Sequence, residues 1–89
     1  MKDSKDEFVH IALVFLFDKG YITPEEYLSR KSDRLNNITT HLTKYNGALV
    51  VFDFDNSEWS IAVDVNIARI VTRVDLYNKG TFQLLYKLN

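Results

Sequence analysis

The sequence predicts an α+β domain, with two N-terminal helices packed on a C-terminal antiparallel meander of about four strands. Three observations predict it. The run Phe8-Val9-His10-Ile11-Ala12-Leu13-Val14-Phe15-Leu16-Phe17 carries one polar side chain and is flanked by helix boundary signals. Thr23-Pro24-Glu25-Glu26 then marks a second helix start, and beyond Asn46-Gly47 the apolar residues change to a period of two.

The first helix is expected over residues 5–19. Ser4 and Glu7 form a capping box at its start, and Lys19-Gly20 closes it. A helix apolar all round must be covered all round. Burying Phe8, Ile11, Ala12, Phe15 and Leu16 with Val9, Leu13, Val14 and Phe17 supplies roughly 15–20 kcal/mol of gross hydrophobic free energy, offset by ordering entropy. Val9, Leu13 and Phe17 are the expected remainder once the other elements are in place.

In the second helix, Thr23 is the N-cap, Pro24 takes the first helical position and Glu26 completes another capping box. Leu28, Leu35, Ile38, Leu42 and Tyr45 recur on one stripe, with Arg30, Lys31, Asp33, Arg34, Asn37 and Lys44 off it. Unbroken to Tyr45, this helix of about 22 residues spans ~33 Å. Asn36, Asn37, Thr39 and Thr40 are poor helix formers and mark where it would break.

Ala48, Val50, Phe52 and Phe54 alternate with Leu49, Val51, Asp53 and Asp55. After Asp55-Asn56-Ser57, Trp59, Ile61, Val63 and Val65 alternate with Ser60, Ala62 and Asp64. That is a hairpin with a polar turn. Residues 69–77 are rich in β-branched side chains, Asn78-Lys79-Gly80 is a turn, and Phe82, Leu84, Tyr86 and Leu88 alternate after it. Val63, Ile67, Ile70, Val71, Val74 and Tyr77 also fit a helical stripe, but their β-branched content favours strand. The chain reads as one domain of 89 residues, helical over 1–46 and a β-meander over 47–89.

Composition narrows the function classes. There is no cysteine, so disulfides and thiolate chemistry are excluded, in keeping with a reducing compartment. The apolar run is shorter than the roughly 20 residues a bilayer span needs. Residues 1–7 are net negative where a signal n-region is positive. A cytoplasmic protein without a membrane role is the expectation. A net charge of −1 gives no general drive toward nucleic acid.

Chemical constellations are sparse. Asp53-x-Asp55-x-Ser57 with Asp64 has oxygen ligands at alternate positions, but Glu58 stands where a calcium loop needs its glycine. A plain hairpin turn explains it better, and neither metal nor cofactor is expected. His10 reads as a histidine satisfied at a packed surface and His41 as a solvated helix residue. An acid–base site would have to be assembled from Asp53, Asp64 and His41 without supporting spacing, so no enzyme is expected.

Gly20-Tyr21-Ile22-Thr23-Pro24-Glu25-Glu26-Tyr27, continuing through Lys31 and Leu35, resembles the short helical motif called SHOCT. The resemblance covers about 16 residues and implies an oligomerisation or docking element, not catalysis. The sheet-rich remainder does not belong to it.

The sheet points the same way. Val50, Phe52, Phe54, Trp59, Ile61, Val63, Phe82, Leu84 and Tyr86 form a face apolar enough to lie beneath the helices. Leu49, Val51, Ala62, Val71 and Leu85 interrupt the polar character of the other face, as in a protein-binding surface or dimer interface. The expected function is therefore a small non-enzymatic interaction domain, an adaptor or inhibitor of a larger macromolecule, of the kind found among phage and mobile-element accessory proteins, with a homodimer as one form. Its expected contacts are Leu49, Val51, Arg69, Val71, Arg73, Tyr77 and Leu85, so that Val71→Glu or Leu85→Glu would spare the fold and abolish binding. The alternative is a single-stranded nucleic-acid-binding protein using Arg69, Arg73, Lys87 and Tyr77.

Overall fold

The computed structural model describes residues 4–24, 27, 35–54 and 58–87. Among the described residues, the helix α1 (Ser4–Asp18) precedes five strands: β1 (Leu35–Leu42), β2 (Ala48–Phe54), β3 (Trp59–Val65), β4 (Val71–Asn78) and β5 (Leu84–Lys87). The strands pair antiparallel in sequence order, an up-and-down meander with β1 and β5 at its edges. The α+β class is as expected, but the meander has five strands, and the second helix is corrected.

That helix does not run to Tyr45, because Leu35–Leu42 is a strand. Pro24 and Tyr27 are helical, and the Tyr27 N–H donates to the Thr23 carbonyl (3.0 Å). Residues 25, 26 and 28–34, including Leu28 of the stripe and most of the SHOCT-like motif, lie outside the described residues. The reason for the correction is physical. Ile38 and Leu42 fit a helical stripe, but they also share one face of a strand, and the asparagines before Ile38 and the threonines after it weaken a helix. Pairing with β2 places Ile38 opposite Phe52, Thr40 opposite Val50 and Leu42 opposite Ala48.

The α1 helix ends as its sequence indicates. Gly20 is left-handed at φ 79°, the Tyr21 N–H donates to the Leu16 carbonyl (2.9 Å) and the Gly20 N–H to that of Phe17 (3.0 Å). This is a Schellman closure, and it turns Tyr21 and the buried Ile22 back onto the core. Phe8, Val9, Ala12, Leu13 and Leu16 are buried against Val50, Phe52, Ile61, Val63, Val65 and Val74. Val9 and Leu13 are thus core residues and not an uncovered remainder. Phe17 is 37% exposed and stacks on Tyr27, with ring centroids 4.8 Å apart. His10 faces solvent, not a packed surface.

Two irregularities decide which side chains face the helix. Ala62, Val63 and Asp64 pair with Asp75, Val74 and Arg73, but Val65 pairs with Val71, leaving Thr72 as an extra residue. The bulge moves Val71 to the helix side, where it packs against the core. Leu85 is likewise extra on β5, since Tyr86 pairs with Leu76 and Leu84 with Tyr77. Phe82, expected in the core, lies in the β4–β5 turn and is 82% exposed.

Residues 66–70 form the β3–β4 turn, so Arg69 precedes the strand it was expected to open. The Asn66 side-chain carbonyl accepts from the N–H groups of Ala68 (2.9 Å) and Ile70 (3.0 Å). Arg69, at φ 66°, donates through Nε to Glu7 (3.0 Å) and through Nη1 to the Ile67 carbonyl (2.9 Å), with its guanidinium 4.5 Å from the Phe8 ring centroid. This clamp ties the turn to α1.

Because Val71 lies between sheet and helix, Val71→Glu is expected to lower unfolding free energy by about 2–3 kcal/mol, the cost of an unpaired polar group in an apolar site. Urea denaturation of the variant checks this. An unchanged midpoint would return Val71 to the outer face.

Candidate functional site: the outer face of the sheet

Alternation puts the side chains not facing α1 on the opposite face, in rows across the strands. One row runs His41, Leu49, Asp64, Arg73; the next Thr39, Val51, Ala62, Asp75, Lys87; the third includes Asp53, Ser60 and Tyr77. A groove of about 550 Å³ lies over these rows. Leu49, Val51 and Ala62 form its apolar floor. Thr39 and His41 border it from β1, and Tyr77, Asn78, Lys79 and Phe82 from the β4–β5 end.

The Phe82 wall is built by Asn78. Its side-chain oxygen accepts from the N–H groups of Gly80 (2.9 Å) and Thr81 (3.1 Å), while its carbonyl accepts from the Phe82 N–H (2.8 Å). This turn holds Phe82 at φ 58°, a left-handed conformation that bulky side chains rarely adopt. The ring is left in solvent beside the groove.

Polar groups on the face are mostly paired within it. Ser60 Oγ, in a buried residue, donates to Asp53. Asp75 is 3% exposed, and its Oδ2 accepts from Arg73 Nε. Its Oδ1 is buried and has no hydrogen-bond partner among the described residues. Asp64 sits opposite Arg73 on the neighbouring strand. Burial pushes the Asp64 carboxyl above the usual carboxylate range; Arg73 pulls it back and Asp75 adds to the rise.

The expected contact residues therefore separate. Leu49, Val51 and Tyr77 meet at the groove. Arg73 shares the face but is held by Asp75, and Leu85 lies exposed at the β5 bulge. Arg69 and Val71 belong to the helix side. Thr39 and His41 were missed because their segment reads as helix, and Phe82 because its alternation with Leu84 ignores the long turn. The signal for that turn is Asn78-Lys79-Gly80, which extends through Thr81.

His41, Asp53 and Asp64 do not converge. His41 pairs with Leu49, four residues along β2 from Asp53 and so about 13 Å from it, and Asp64 lies two strands away. Among the described residues, no group of three or more His, Asp or Glu side chains is placed to hold a metal ion. No helix among them is long and apolar enough to cross a membrane. No family model, curated protein or solved structure matches the chain.

Two stability predictions follow from the charges on this face. The folded chain holds the Asp64 proton more tightly than the unfolded chain, so the ionised carboxylate costs stability above the unfolded value of roughly 3.9. Asp64→Asn is expected to raise the melting temperature at pH 7, with the gain vanishing below about pH 4. Melting curves of both proteins across that range check it, and a variant that melts lower at neutral pH refutes it. Arg73→Ala leaves the Asp75 carboxylate buried without its cation and is expected to cost about 1–3 kcal/mol in urea denaturation.

Proposed function

We propose that this chain is a small non-enzymatic interaction domain that receives an apolar segment of a protein partner in the groove on its outer sheet face. The observation that carries this reading is Phe82. An aromatic ring held 82% exposed by a left-handed backbone, at the edge of an apolar-floored groove, stores strain without a return in folding. Exposed aromatics beside such pockets are the usual anchors of protein interfaces. Adaptor or inhibitor roles in the cytoplasm, including those of phage accessory proteins, suit a domain of this size and chemistry.

Single-stranded nucleic acid fits the face less well. Arg69 is turned to the helix side by Glu7 and Phe8, and Arg73 is paired with Asp75. Asp53, Asp64 and Asp75 share the outer face with Arg73 and Lys87, so the surface offers phosphates no net attraction.

Phe82→Gly separates binding from folding, because glycine adopts the left-handed conformation without steric cost. The variant is expected to melt no lower than the wild type while losing the partner recovered with the wild-type chain from its native host. Leu49→Glu, which charges the groove floor, is expected to lose it too. Equal recovery with both variants refutes the groove as the docking site.

A further inference from the structure

We infer that the β1 edge of the sheet is a self-pairing surface on which a second copy of the chain adds its own β1 antiparallel. The argument starts with the contrast between the two edges. β5 has four residues, is bulged at Leu85 and carries Lys87, all features that discourage strand addition. β1 has eight residues, Leu-Asn-Asn-Ile-Thr-Thr-His-Leu, with no Asp, Glu, Lys, Arg, Pro or Gly. Its register with β2 shifts between Leu35 and Asn37 and is regular from Asn37 to Leu42, the stretch the pairing uses. From Ile38 to Leu42, the edge carries none of the usual protection among the described residues.

Hydrogen-bond parity identifies the free groups. The Thr43 N–H donates to the Gly47 carbonyl (3.0 Å), which makes that facing pair a hydrogen-bonded one. Alternation then makes His41–Leu49 and Thr39–Val51 hydrogen-bonded pairs. The N–H and C=O groups of Ile38, Thr40 and Leu42 consequently point away from β2, toward the open edge. Among the described residues no strand pairs with them, so an added strand can take up these groups.

The sequence suits a two-fold axis through Thr40. Thr40 then faces Thr40 of the second copy, and Ile38 faces Leu42, all on the helix side. Thr39 faces His41 on the groove side. Both faces of the sheet stay matched, because each facing pair joins residues that point the same way. The pairing covers Leu42, which is 53% exposed, with an apolar neighbour. It brings no two like charges together. Since Thr39 and His41 line the groove, the grooves of the two copies join across the new edge.

Light scattering of the full chain over a concentration series tests this, with amide hydrogen exchange at the low and high ends. The mass is expected to move from 10.4 kDa toward twice that value, with exchange of the Ile38, Thr40 and Leu42 amides slowing as it does. Thr40→Pro removes one edge donor without touching the β1–β2 ladder, and Leu42→Lys adds a charge at an exposed position. Each is expected to weaken association by about tenfold or more. If Thr40→Pro fails to fold, Leu42→Lys decides the matter. Three outcomes overturn the inference: a mass of 10.4 kDa at every concentration, a dimer whose edge amides exchange as in the monomer, or undiminished association of Leu42→Lys. Leu49→Glu should still dimerise, so failure of the groove reading and failure of the edge are distinguishable.

Discussion

Everything in this fold depends on α1 covering one face of the five-stranded sheet. Phe8, Ala12, Leu13 and Leu16 lie fully buried over Val50, Phe52, Val63 and Val74, and Ile22 closes the layer after the Schellman turn. Each of those side chains must keep its place in the alternation, because a slip of one residue would send it to solvent. The bulge at Thr72 is part of that constraint. It restores Val71 to the covered side after Arg73 and Asp75 have taken the other.

The hairpin turns carry the associated backbone cost. Asn46, Arg69 and Phe82 are the non-glycine residues with positive φ among those described, each in the turn of a different hairpin. Asparagine tolerates that conformation well; arginine and phenylalanine do not. For Arg69 the cost is offset by Glu7, the Ile67 carbonyl and the Phe8 ring, which together fasten the β3–β4 turn to the helix. Phe82 has its turn fixed by Asn78, yet its ring stays in solvent. The imbalance separates a turn that serves the core from one that serves the outer face.

The outer face is neither a second core nor an ordinary charged surface. Its apolar floor is interrupted by acid groups that are largely paired in place, Asp53 with Ser60 and Asp75 with Arg73. Such pairing leaves shape and apolar surface, more than net charge, as the character of this face. At the β1 edge the backbone groups of Ile38, Thr40 and Leu42 that point away from β2 have a fixed direction, because strand pairing fixes register and orientation together.

The first helix, its glycine closure and the strands from Ala48 onward were legible in the chain because each carries a strong periodic or capping signal. Residues 35–42 were not, since Ile38 and Leu42 lie four apart and satisfy both a helical stripe and an alternating strand. The surroundings decided between them, by offering Phe52, Val50 and Ala48 as partners on β2. Leu49, Val51 and Tyr77 could be read as outer-face residues from alternation alone, whereas Arg69 and Val71 could not, because a turn and a bulge interrupt their count. By itself the sequence determined α1 with its closure, the strands from Ala48 onward and the central part of the buried face, Val50, Phe52, Ile61 and Val63. Which residues share the open face was decided only by tertiary structure, because pairing register depends on contacts between distant segments.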